Sequence, residues 1–179
     1  MRVAITGASG LLGGNLAAEL IAAGHAVVAT RRAGTQVAHL SDLPIEWRDA
    51  DLGDEAGLAR AFEGAEAVFH CAAAVTIKRE VTPEMRAVNV DGTRHVIDAC
   101  VKAGVKRLVH TSSVVAVGLS EDGRPCDETA TWNFDRLGLL DAYAIPKHEA
   151  EEVVKTEGAR IDAVIVNPTY MFGPRDSRP

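Results

Sequence analysis

YAIPK places Tyr143 and Lys147 four residues apart, and in a helical segment that spacing sets both on one face. A phenol titrates at about pH 10, so it exchanges a proton at neutral pH only where a nearby positive charge favours the phenolate. Lys147 is placed to supply that charge. Upstream, HTSSVVAVG carries hydroxyls, Ser113 among them, suited to holding a carbonyl or alcohol oxygen beside the tyrosine. The plain alternative is an aromatic packed on the core next to a solvated lysine, because such pairs arise by chance in many helices.

A second stretch, TGASGLLGG from Thr6 to Gly14, follows the short aliphatic run MRVAI and opens into LLGGNLAAELIAAG. Leu12, Leu16 and Leu20 recur there every four residues, as on one helix face. In a strand, glycine turn and helix, Gly7 allows a tight turn, Gly10 lets the backbone come close to a ligand, and Gly13 lets the helix pack against the strand. The amides at the helix start, at the positive end of its dipole, suit a pyrophosphate. A dinucleotide site is the first expectation. Glycines also serve turns and packing, and the GxxGxxG spacing departs from the simpler GxGxxG fingerprint, which implies a subfamily of the fold.

These residues need elements to position them. Gly24 ends the first helix, and HAVVATRR reads as a second strand, giving a strand-helix-strand unit of about 30 residues. At the end of that strand an acidic residue would hold the ribose 2′-hydroxyl of NAD, whereas arginine suits an added 2′-phosphate. Thr30, Arg31 and Arg32 stand there, so NADP(H) is expected in preference to NAD(H). The bland alternative is a pair of solvated arginines.

PIEWRD (44–49) reads as a third strand, with Asp54 capping a short helix after it. Ala67 to Cys71 form a fourth strand followed by small residues. A long helical pattern runs from Pro83 to Gly104, and Gly92 inside it implies close packing against the sheet or a ligand. Lys106 to Ser112 make the fifth strand, 118–140 a long loop over one sheet edge, Asp141 to Glu157 a helix, and IDAVIVNP the sixth strand. Pro146 requires the last helix to begin near Asp141, because proline is tolerated only in a first turn. Strand alternating with helix predicts an α/β fold, a Rossmann-like doubly wound parallel sheet in three αβα layers. Ligands bind beyond the carboxyl ends of such strands, where Gly7, Arg31, Asp51, Ala72, Ser113 and Asn167 would line one rim.

Composition narrows the function classes. The 179 residues suffice for one good core; 47% are hydrophobic and 4% aromatic, as in an aliphatic-rich globular domain. A net charge of −6 with no basic cluster argues against nucleic acid. No run approaches the roughly 18 apolar residues of a membrane span, and the short N-terminal strand is no signal peptide, so a cytoplasmic protein is expected. Cys71, Cys100 and Cys126, an odd number without CxxC, imply neither disulfide nor metal site. His70 and His110, inside apolar strands, read as hydrogen-bonded core histidines.

TGASGLLG, DADLGD, HCAAA, NVDGT, TSSVVAVG, YAIPK and NPTYMFGP, in this order, resemble the extended short-chain dehydrogenase/reductase superfamily, nearest to its bacterial dihydroflavonol-reductase-like proteins and its nucleotide-sugar epimerases and dehydratases. The resemblance covers the whole chain. It implies that Tyr143 is the catalytic acid/base, that Lys147 lowers its pKa and binds the nicotinamide ribose, and that Ser113 holds the reacting oxygen. It places Asp51 at the adenine amino group and Leu52 on the ring, with Cys71, Ala72, Ala73 and Ala74 along the adenosine and phosphate path. Ser9, Leu11 and Leu12 would lie against the pyrophosphate. Thr111, Val166, Pro168, Thr169 and Tyr170 would line the cofactor toward the nicotinamide, and Asn167 would face the substrate. Asn89 would either contact the cofactor or pack beside the site.

The implied reaction is hydride transfer between nicotinamide and a carbonyl or alcohol substrate, with no metal. Epimerisation or dehydration of a nucleotide sugar with NAD(P), and a non-enzymatic NAD(P) sensor, are the rivals; a sensor has no need of Tyr143, Lys147 and Ser113. Members of that superfamily run much longer, so residues 1–179 are expected to be the cofactor-binding part without the C-terminal substrate-binding portion. Such a piece would bind cofactor with weak or no turnover. The expected partner is a small-molecule substrate, with no nucleic acid or membrane, and dimerisation through the long helices stays open.

Overall fold

The computed structural model describes residues 1–75, 80–139 and 142–176. Six strands, β1 (Arg2–Thr6), β2 (Ala26–Arg31), β3 (Ile45–Asp49), β4 (Ala67–His70), β5 (Arg107–Thr111) and β6 (Asp162–Val166), form one sheet in the order β3-β2-β1-β4-β5-β6. Every pairing is parallel. The chain moves outward from β1 through β2 to β3 and then returns to β4 on the other side of β1. That reversal falls at the carboxyl ends of β1 and β4, where doubly wound sheets take their ligands.

Helices α1 (Leu11–Ala22), α2 (Glu55–Phe62), α3 (Pro83–Arg86), α4 (Gly92–Ala103) and α5 (Ala144–Glu157) cover the sheet. Because successive strand residues point to opposite faces, each strand feeds two cores. Ala4, Val28, Val68 and Leu108 meet Leu58, Phe62, Val96, Ile97 and Val154 of α2, α4 and α5. Val3, Ile5, Val27, Ala29 and Ala67 meet Ala8 and Ala17 on the α1 side. Burying a side chain such as Leu58 or Phe62 contributes about 1.5–3 kcal/mol, and the two-faced burial is why the strands read as aliphatic runs.

The helix ends follow their capping chemistry. Asp54 Oδ1 accepts the Gly57 N–H at 2.9 Å at the start of α2, and Thr82 Oγ1 accepts the Met85 N–H at 3.3 Å ahead of Pro83. Gly24 and Gly104 both sit at positive φ just past a helix, a conformation that favours glycine.

Several boundaries differ from expectation. The Pro83–Gly104 pattern is α3, a π turn over Ala87–Asp91, and α4. A Cβ on Gly92 would lie 3.0 Å from Leu52 Cβ, so this glycine serves packing against the turn after β3. On α1 the fully buried positions are Leu11, Gly13, Gly14 and Ala17, while Leu16 and Leu20 pack at the margin and Leu12 is half-buried. Small residues, more than leucines, bring α1 close to the sheet. The last helix starts at Ala144, with Tyr143 as its N-cap; the expected start at Asp141 lies outside the described residues. Pro146 nonetheless falls in the first turn, where its missing N–H removes no helical bond.

Within the long loop, the Asn133 amide bonds both backbone groups of Leu119 at 2.9 Å. Trp132 donates to Val115 O at 2.9 Å and stacks on His148 of α5 at 4.1 Å between ring centroids. The loop is thereby fastened to the flank of α5.

Candidate active site

Parallel pairing puts all six strand ends on one edge. Thr6 registers with Thr30 and His70, His70 with His110, and His110 with Ile165. Gly7, Arg31, Asp51, Ala72, Ser113 and Asn167 therefore share the carboxyl rim of the sheet.

The glycine turn is built for two kinds of closeness. Gly7 has φ +76°, and a Cβ there would lie 2.6 Å from Ala72 N, so the turn after β1 and the chain leaving β4 touch through bare backbone. On Gly13 a Cβ would lie 2.4 Å from Gly7 O; this glycine packs α1 against the turn, where the sequence suggested the strand. Gly10 differs. Its backbone is extended, and its Cβ would meet only Gly7 O, at an ordinary 3.5 Å. As the N-cap of α1 it has no side chain to accept the first amides, and no acidic residue occupies the first turn. Unlike α2 and α3, this twelve-residue helix thus starts without a side-chain cap, the arrangement that an anionic phosphate completes. The residues present fit a pyrophosphate.

The chain leaving β6 returns to this turn. Asn15 Nδ2 donates to Leu11 O and Pro174 O, each at 2.7 Å. Along the way Val114 N–H donates to Pro168 O at 3.1 Å, Val166 and Thr169 are exposed at the surface, and Tyr170 is 92% exposed.

At the outer end of the rim, Arg31 Nε donates to Asp49 Oδ1 at 2.9 Å, and its guanidinium lies 5.9 Å from the Trp47 ring centre. Arg32 is exposed. Asp51 is exposed and accepts the Gly53 N–H at 2.8 Å, while Leu52 packs into the main core and its carbonyl bonds His95 Nδ1 at 2.8 Å.

The opposite end holds a buried polar cluster. Tyr143 caps α5, and its carbonyl accepts the Lys147 N–H at 3.2 Å, so the two residues stand one turn apart. Lys147 is 5% exposed and donates from Nζ to Thr111 O at 2.9 Å. Burial pushes its ammonium down to about 8, against the opposing pull of Cys71 and Glu151. Cys71 in turn accepts from Thr111 Oγ1 at 3.5 Å; burial pushes its thiol up, with the Thr111 bond and Lys147 opposing. Ser113 is buried, its hydroxyl accepts the Val115 N–H at 3.4 Å, and its carbonyl accepts from Asn167 Nδ2 at 3.1 Å.

Glu151, a residue the sequence did not single out, ties this cluster together. It is 4% exposed, and its Oε2 accepts from Ser112 Oγ at 2.5 Å and Asn167 Nδ2 at 2.7 Å, while Lys155 reaches Oε1 at 2.9 Å. Burial pushes this carboxyl up, but the bonds from Ser112, Lys155 and Asn167 outweigh it and hold it below its ordinary value. A signal was present: Tyr143, Lys147 and Glu151 advance by four residues along one helix face.

Three further polar residues sit beneath the rim. Asn89, in the π turn, spends both ends of its amide on Ala74, accepting its N–H at 2.7 Å and donating to its carbonyl at 3.0 Å, which fixes the backbone following β4. His70 bonds Thr6 Oγ1 at 2.7 Å and Thr93 Oγ1 at 3.2 Å, as expected of a core histidine. His110 departs from that expectation. Both its ring nitrogens are buried without a hydrogen-bond partner among the described residues, and burial together with nearby Lys147 depresses its pKa to about 3.

The sequence profile of the NAD dependent epimerase/dehydratase family matches residues 3–179, and the chain belongs to that family. It is 38% identical over 180 residues to sterol demethylase protein B of Methylococcus capsulatus, spanning 100% of this chain and 54% of that protein. It is 33% identical over 190 residues to the bifunctional dihydroflavonol 4-reductase/flavanone 4-reductase of Pyrus communis, spanning 96% and 54%. Among solved structures, the Bordetella bronchiseptica enzyme WbmH in complex with NAD+ superposes with a TM-score of 0.81 at 25% identity, covering 99% of this chain and 58% of that one. The chain thus spans about half the length of these relatives. Among the described residues, no helix is long and apolar enough to cross a membrane.

Proposed function

We propose that this chain is the dinucleotide-binding part of an NADP(H)-dependent reductase in which Tyr143 is the acid/base. The observation that carries the reading is that one sheet edge bears both an uncapped helix start at Gly10 and, on α5, a tyrosine one turn from a buried lysine. The first suits a pyrophosphate; the second suits a phenol that must give or take a proton near neutral pH. Bound nicotinamide supplies the hydride.

The chain's own residues supply the rest. Gly7 and Gly13 set the turn so that Gly10 faces the phosphates with bare backbone. Lys147 stabilises the phenolate of Tyr143 and presents its remaining N–H donors to the ribose. Ser113 and Tyr143 hold the substrate oxygen on which charge develops. Asn167, held by Ser113 O and Glu151, fixes the wall beyond them. Arg31 and Arg32 at the end of β2 favour NADP(H) over NAD(H), because a guanidinium fork matches a phosphate ester. Reductase and dihydroflavonol names among the relatives support a carbonyl substrate.

Fluorescence titration with NADPH and NADH tests the reading. NADPH is expected to bind at least tenfold tighter, and the Tyr143→Phe variant is expected to bind it equally well while losing any residual carbonyl reduction. Equal affinity for both cofactors would remove the NADP(H) preference, and no binding at millimolar concentration would remove the dinucleotide site altogether.

A further inference from the structure

We infer that Asp49 and Trp47 are positioning residues that hold the Arg31 guanidinium ready for a phosphate ester on the cofactor ribose, an inference that rests on the NADP(H) reading above. The register of β2 with β3 sets Ala29 opposite Trp47 and Arg31 opposite Asp49. With side chains alternating along each strand, these four residues share one face, the one on which α1 and its glycine turn lie. Arg31 is therefore braced twice, by a hydrogen bond from Nε to Asp49 Oδ1 and by the Trp47 ring beside its guanidinium.

What the brace leaves open points to a ligand. Asp49 takes only Nε, and among the described residues the two terminal amino groups of Arg31 make no hydrogen bond. Elsewhere in the protein a carboxylate takes two of the three guanidinium nitrogens: Glu149 accepts from both Nε and Nη2 of Arg86, and Asp162 does the same for Arg107. Arg31 keeps its outer edge, the pair of parallel N–H groups that meets an oxyanion bidentately. An unbraced arginine would surrender its rotamer freedom on binding, so orienting it beforehand strengthens the contact. Asp49 is 58% exposed at its side chain and hence well hydrated, which screens its repulsion of an incoming phosphate while leaving its directional hydrogen bond intact.

The test is a double-mutant cycle on cofactor affinity, read by fluorescence titration with NADPH and NADH. Asp49→Ala is expected to weaken NADPH about fivefold and leave NADH unchanged. Asp49→Asn, whose amide oxygen still accepts from Nε, is expected to restore most of the loss. In the Arg31→Ala background, Asp49→Ala should have no further effect. Tighter NADPH binding by Asp49→Ala would mean that Asp49 competes for Arg31, and an equal loss for both cofactors would mean a general structural role; either overturns the inference. A wild type that prefers NADPH while Asp49→Ala leaves that preference untouched sinks the inference alone. A wild type with no preference sinks the cofactor reading and this inference with it.

Discussion

Lys147 Nζ reaches the carbonyl of Thr111 at 2.9 Å from a position that is 5% exposed, so a helix and a strand end are joined through a buried ammonium. Burial lowers its pKa from 10.5 to about 8. Below pH 8 both folded and unfolded chains carry the proton, and the whole cost of burying the charge is present. As pH rises from about 8 to 10.5 the folded state releases its proton first, and stability climbs. Lys147→Met, similar in length and uncharged, is therefore expected to be more stable at pH 7, by at most ~3 kcal/mol, and to lose the rise between pH 8 and 10.5. Urea denaturation at pH 7 and pH 10 measures both. A less stable variant at pH 7 would show that the bond to Thr111 outweighs the burial cost.

Glu151 carries the opposite sign. Its carboxyl, held below its ordinary 4.5 by Ser112, Lys155 and Asn167 against burial, contributes stability that is fully present above pH 4.5 and lost as pH falls further. Glu151→Gln puts an amide N–H₂ among donors and leaves at least one of them unpaired, at a cost of about 1–3 kcal/mol. Thermal melts should show this gap at pH 7 and show it narrowing as pH falls below 4.5. A pH-independent gap would assign the loss to packing alone.

How much of this was legible follows from what each feature depends on. The sheet, its order of elements and its shared rim came through, because two-faced burial writes aliphatic runs and helix ends write their signals locally, as at Asp54, Pro83 and Gly104. Glu151 did not, since EAEEVVK reads as a solvated charged face until β5 and β6 bring Ser112 and Asn167 against it. The Arg31–Asp49 brace was hidden for the same reason: it exists only in the register of β2 with β3. His110 shows the converse, a strand residue whose burial was readable while its lack of a partner was not. At Asn89 the π turn redirects the amide to Ala74, and no periodicity announces such a turn.

Gly10 and Gly13, three residues apart, are expected to separate folding from binding. A Cβ at position 13 would sit 2.4 Å from Gly7 O and 2.8 Å from Ala8 Cα, both backbone atoms, so α1 must shift to admit it. Gly13→Ala is expected to cost about 2–3 kcal/mol, in the range of overpacked cores, and to lose cofactor binding with the turn. At position 10 the backbone is extended and the Cβ would find only an ordinary contact at 3.5 Å. Gly10→Ala should lower the melting temperature by no more than about 4 °C, since an N-cap changed from glycine to alanine costs about 1 kcal/mol. On the proposed reading its NADPH affinity should nevertheless fall tenfold or more, because the methyl would take the space assigned to the phosphates. Melting curves and titrations on both variants decide the matter: full NADPH affinity in Gly10→Ala would place the phosphates away from this turn, whatever Gly13→Ala does.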